Sequence, residues 1–180
     1  GDRELSVFHS MVNPYRLVPP FVRQLTGITD SDLSSAPSFT AIAEDLLDFI
    51  GDSPVIGHNV SFDLAFLARK GVHLFSNPQW DTRDLAPVVL PYAKEFSLAA
   101  LARLLECFHK TPHRALDDAQ ATRRVFVVLM QKAQKLDHGT LAALTNIAQR
   151  SQWTLHDALT GLVEGDATLS SAPLDLDLGN

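Results

Sequence analysis

The chain is short of several things, and each shortage narrows what it can be. Cys107 is the only cysteine, so no disulfide can form within the chain and a reducing cytoplasm is its natural setting. No apolar run approaches the length of a membrane span, so no membrane partner is expected. The opening GDRELSVF carries neither the basic region nor the apolar stretch of a signal peptide. Positive charge is scarce too: 15 Lys and Arg stand against 21 Asp and Glu, a net of −6. Four of those acids (Glu164, Asp166, Asp175, Asp177) fall from residue 164 onward, where no Lys or Arg occurs. The rest is close to neutral. A domain gripping duplex DNA over a whole face would be basic, so near-neutrality fits a local hold on a few phosphates. No internal repeat is visible.

What remains is an ordinary globular composition. With 46% hydrophobic and 20% charged residues in 180, the chain suits one domain with a single core. ELSVFHSMV (4–12) reads as a strand running into the Asn13-Pro14 turn. FVRQLTGI reads as a short helix closing at Gly27, and Thr29 to Asp32 as a helix start. Ile42, Ala43, Leu46, Leu47 and Ile50 recur at helical spacing before the stop at Gly51. Val55-Ile56-Gly57 has the look of a short buried parallel strand, and Ser61 of an N-cap for the helix that carries Asp63.

Asp81-Thr82 ends a second strand-like piece, with a helical turn expected at 87–91. Ser97 heads an amphipathic helix through Leu98, Leu101, Leu104, Leu105 and Phe108. A long helix from about Ala115 to Leu136 should turn Val125, Val128, Leu129 and Met130 inward, and a last helical stretch covers 140–162. The Ser, Pro and Asp-Leu pattern from Gly165 reads as flexible. Strands alternating with helices give an α/β fold class.

Two stretches carry chemistry: HNVSFDLAFL (58–67) and HRALDDA (113–119). Asp63 falls in the first turn of a helix, His113 in the loop after Pro112, and Asp118 one turn into the next helix. Taken singly, each has a plain reading. Helix dipoles favour acids in first turns, a histidine after proline is commonly a surface residue, and Phe62 and Phe66 at i, i+4 suit a core. Together they place two hard oxygen donors and a titratable base where a divalent metal and a water could meet. Ala115 and Ala119 keep that helix face small enough to admit a substrate backbone.

The joint pattern HNxxFDxxFL then HxAxxD resembles the second and third motifs of the DEDDh exonucleases. This is the DnaQ-like family that includes the proofreading subunit of bacterial DNA polymerase III and exonuclease domains fused to helicases. NPYRLVPPFVRQLTGITDSDL, WDTRDLAPVVLP and FSLAALARLL extend the likeness over residues 4 to 133. The resemblance implies an RNase H-like fold, a mixed five-stranded sheet flanked by helices. It also implies 3′–5′ removal of nucleotides from single-stranded DNA, in proofreading or repair, with two Mg²⁺ or Mn²⁺ ions. Asp63 and Asp118 would bind metal and His113 would be the general base. Gly27, Ile28, Asn59 and Phe62 would lie near the terminal nucleotide.

That family's first motif, Asp-x-Glu on the first strand, has no clear counterpart here. Asp2-x-Glu4 has the spacing but stands where the family has the turn before its third strand. The expectation is a fold lacking its first two strands and a chain inactive alone, with an exonuclease domain at 1–135, a helical extension at 136–163 and an acidic tail at 164–180. The extension could lead toward a fused helicase domain, or Trp153 and Leu155 could anchor a polymerase subunit rather than pack on their own core. The competing reading is a non-catalytic module that binds nucleic acid or a partner.

Overall fold

The computed structural model describes residues 4–107, 111 and 113–164. The elements begin where local chemistry directs. Helix α1 (Pro20–Thr26) opens on proline, whose missing N–H costs nothing in the first turn, and closes at Gly27 with φ 66°. Helix α2 (Asp30–Ser34) starts with a reciprocal cap, Thr29 accepting from the Asp32 N–H while the Asp32 carboxylate accepts from the Thr29 N–H. Ser38 caps α3 (Phe39–Ile50), and Gly51 ends it.

Strand β1 (Val55–Gly57) and strand β2 (Gln79–Asp81) form a parallel pair with Ile56 opposite Trp80. Helix α4 (Val60–Arg69) makes the crossover between them. Among the described residues five helices follow: α5 (Thr82–Val89), α6 (Leu98–Leu104), α7 (Ala115–Gln134), α8 (His138–Arg150) and α9 (His156–Glu164). Leu85, Leu101, Val125, Leu129, Leu155 and Leu159 are fully buried in one cluster, so α8 and α9 share the core of α5 to α7. Trp80 stacks on Phe126 with ring centroids 5.7 Å apart, which ties the short sheet to α7.

Several expectations change. Residues 4–12 form no strand among the described residues, because no neighbouring strand is there to complete a ladder. β1 is not buried: Ile56 is 36% exposed, since only β2 pairs with it among the described residues. The expected five-stranded sheet is therefore two-stranded among those residues. The cap of α4 is Asn59, in the left-handed region at φ 69° and without a side-chain cap bond, rather than Ser61. α5 begins at once after β2, with Asp81 as its cap and Pro87 inside it, rather than at 87. The stretch 140–162 breaks into α8 and α9 around Ser151 and Gln152, where Gln152 has φ 53°.

Trp153 is partly buried against the cluster and Leu155 is fully buried, so both pack on the chain's own core. Leu104 is 55% exposed rather than inward. Phe108, Pro112 and the acidic tail from Gly165 lie outside the described residues. Among the described residues no helix is long and apolar enough to cross a membrane.

Candidate active site

The turn from β1 into α4 is built around one buried carboxylate. Gly57 must be glycine, since a Cβ there would come within 2.6 Å of the Val60 Cβ and 2.8 Å of its Cα. That close approach lets Asn59 take its left-handed backbone and aims two orphan helix N–H groups at Asp81. Asp81 Oδ1 accepts from the Asn59 N–H at 2.9 Å, and Oδ2 from the Val60 N–H at 2.7 Å. Oδ1 also accepts from the Arg83 N–H at 2.8 Å. Thr82, fully buried, holds the His58 ring through Nδ1 at 2.9 Å and donates to the Gly57 carbonyl at 3.1 Å. The strand ends and the α4 N-terminus are thus locked together.

A cleft of about 590 Å³ opens beside this seam, between β1, α4 and the first turns of α7. Asn59, Phe62, Asp63, His113 and Asp118 all line it, as do Ala115 and Ala119. Residues 55–63, 97–99 and 113–122, distant in sequence, therefore converge on one space. Phe62 is 69% exposed and Phe66 52% exposed, so their i, i+4 spacing does not serve a core. Gly27 and Ile28 are not in this cleft. Ile28 lines the neighbouring cavity, which meets the cleft at Ala115.

His113 sits just ahead of α7 in the left-handed region, at φ 68°. Its backbone N–H donates to Asp118 Oδ1 at 3.2 Å, and the Asp118 N–H donates to the Arg114 carbonyl at 2.8 Å. Partial desolvation in the cleft pushes the Asp63 carboxyl above the usual range, its own backbone N–H opposes this, and the Asp81 charge adds to it. Burial pushes the His58 imidazole down, against the pull of Asp81. Both shifts favour the uncharged forms. Among the described residues, no three His, Cys, Asp or Glu side chains gather closely enough to hold a metal ion.

No role for His58, Asp81, Thr82 or Arg114 follows from the sequence pattern. The Asp-Thr pair closing a predicted strand was the available signal, since a carboxylate there can reach the next helix N-terminus.

The family profile described as Exonuclease (RNase_T) matches residues 1–126. The chain belongs to the exonuclease family. The membership accords with the DEDDh-type motifs and implies an RNase H-like α/β fold, with which the parallel pair and its flanking helices are consistent. The chain is similar to the 3′-5′ exonuclease DinG of Staphylococcus saprophyticus, 32% identical over 175 residues covering 94% of this chain and 19% of that protein. The Bacillus subtilis protein of the same name is 32% identical over 146 residues, covering 79% of this chain and 16% of the relative. That of Staphylococcus aureus (strain MRSA252) is 30% identical over 179 residues, covering 97% and 20%. The chain spans about a fifth of the length of these exonucleases.

Proposed function

We propose that this chain supplies part of the active site of a metal-dependent 3′–5′ exonuclease acting on the 3′ end of single-stranded DNA. The observation that carries the reading is the convergence of Asp63, His113 and Asp118 on one cleft. Phosphodiesters are anionic, and a cleft lined by two carboxylates repels them unless a cation stands between. Hard oxygen donors suit Mg²⁺ or Mn²⁺, two ions in a complete site. The described side chains do not by themselves make a metal cage.

The chain's own residues have definable tasks. His113, at the cleft wall, takes a proton from the attacking water in its neutral form. Exposed Phe62 offers a stacking face to the terminal base, and Asn59 a polar contact. Ala115 and Ala119 leave room for the sugar-phosphate backbone. The further carboxylates would arrive on a strand added beside β1, whose other edge pairs with no strand among the described residues. Without it the chain is inactive.

The purified 180-residue chain with Mg²⁺ should leave single-stranded DNA intact. Digestion that disappears in Asp63→Ala would overturn the incompleteness. In a protein carrying this chain with the strand-borne carboxylates, His113→Ala should cut turnover about a hundredfold or more while DNA affinity stays within about twofold. Equal losses in both would remove His113 as the base. The lack of a three-ligand cluster among the described residues favours a second reading, a non-catalytic module that binds nucleic acid or a polymerase or helicase partner. Absence of digestion from the completed protein would establish that one.

A further inference from the structure

Among the described residues, the cleft itself is lined by no Lys or Arg. The adjoining cavity of about 420 Å³ is different, with Arg16 and Arg114 in its wall beside Ile28. The two spaces meet at Ala115, the residue after Arg114. Arg114 reaches across from the start of α7 to the end of α1, where its Nη2 lies 3.5 Å from the position a Gly27 Cβ would occupy. It is half-buried, and among the described residues no carboxylate comes within 4 Å of it. Asp32 feels its charge, but the Asp32 carboxylate is already engaged by the N–H and hydroxyl of Thr29.

A planar guanidinium held at one end of a carboxylate-lined cleft, with its donors uncommitted among the described residues, suits an anion entering from that side. A single strand whose last linkage lies in the cleft presents its next phosphate outside it. We propose that Arg114 is a specificity-determining residue that binds the backbone phosphate next to the terminal linkage, so that the site favours chains over mononucleotide esters. The inference rests on the nucleic-acid reading of the cleft. It assigns the adjoining cavity to the path of the strand.

Binding tests it independently of hydrolysis. A fluorescein-labelled oligo(dT) is titrated with the 180-residue chain in buffer containing Ca²⁺, a cation to stand between the carboxylates and the phosphates, and followed by anisotropy. Arg114→Ala should weaken binding about tenfold. It should also flatten the dependence of log affinity on log salt by about 0.7, the loss of one phosphate contact on a single strand. Arg114→Lys should recover part of both. An oligonucleotide with a neutral methylphosphonate at the linkage next to the terminal one should bind wild type about tenfold more weakly and Arg114→Ala unchanged.

Undetectable binding by wild type, an unaltered salt slope in Arg114→Ala, or equal sensitivity of both proteins to that methylphosphonate would each overturn the proposal. Melting curves of the variants separate a folding defect from a lost contact, and Lys carries the test if Ala unfolds. Failure here leaves the exonuclease reading standing, because that reading falls only on the hydrolysis measurements.

Discussion

The two halves of this molecule are packed in different ways. From α5 onward the helices surround one apolar cluster, with Leu85, Leu101, Val125, Leu129, Leu155 and Leu159 shut off from solvent. Helices α1, α2 and α3 have no buried residue at all, although α3 is amphipathic and carries Leu46, Leu47 and Ile50. Phe21 is 71% exposed and Leu17 79%. Apolar periodicity fixes where a helix can bury a face, but burial needs something opposite it. The second half supplies that by folding on itself, and the first does not. The cleft with Asp63, His113 and Asp118 opens at the seam between them.

The widest separation should come from matched leucines. Leu129→Ala removes a side chain from the sealed cluster and should cost about 2–5 kcal/mol in denaturant unfolding. Leu47→Ala, at a position 39% exposed on α3, should cost within about 0.5 kcal/mol. Similar costs would mean that the first half is as well packed in solution as the second, and the contrast would fail.

A smaller effect belongs to the seam. Gly57→Ala puts a Cβ within 2.8 Å of the Val60 backbone, so the turn from β1 to α4 must shift. About 1–3 kcal/mol is expected, the scale of overpacking. Because the same turn aims the Asn59 and Val60 N–H groups at Asp81, the shift should also loosen the cleft wall. Faster hydrogen exchange at those two amides is the check. A variant as stable as wild type, with those amides unchanged, would show that the close approach is not what holds the seam.

The legibility of the sequence follows the same division. Helices that bury a face, such as α7 with Val125, Leu129 and Met130, could be read from spacing because their own residues supply the partner surface. Caps at Thr29 and Ser97 were readable because the bond runs only three residues. The strand expected at 4–12 was not, because a strand is defined by a neighbour and spacing says nothing about whether one is present. Asn59 took the capping position from Ser61 for a long-range reason: Asp81, far along the chain, draws the helix start back to itself. The convergence of Asp63, His113 and Asp118 was legible through motif order alone, and Arg114 was missed because no local pattern marks a guanidinium that spans two helices.

The smallest effect is electrostatic, and its sign separates a site residue from a structural one. Desolvation raises the Asp63 carboxyl above its ordinary value, with Asp81 adding to it, so the folded state binds a proton more tightly than the unfolded chain does. Stability from this residue is therefore highest below the unfolded carboxylate range, about pH 3.9, and is lost as pH rises through the folded value. At neutral pH the ionised Asp63 is a liability without a cation beside it. Asp63→Asn removes that charge and should raise the melting temperature slightly at pH 7 in metal-free buffer, with the gain fading toward acid pH. Asp137, which caps α8 and is held below the usual range mainly by the Thr140 hydroxyl and N–H, should behave oppositely. Its contribution is present at neutral pH and lost on acidification, so Asp137→Asn should lower the melting temperature at pH 7. Melts of both variants across pH would settle the sign, and destabilisation of Asp63→Asn at neutral pH would make Asp63 a structural acid like Asp137.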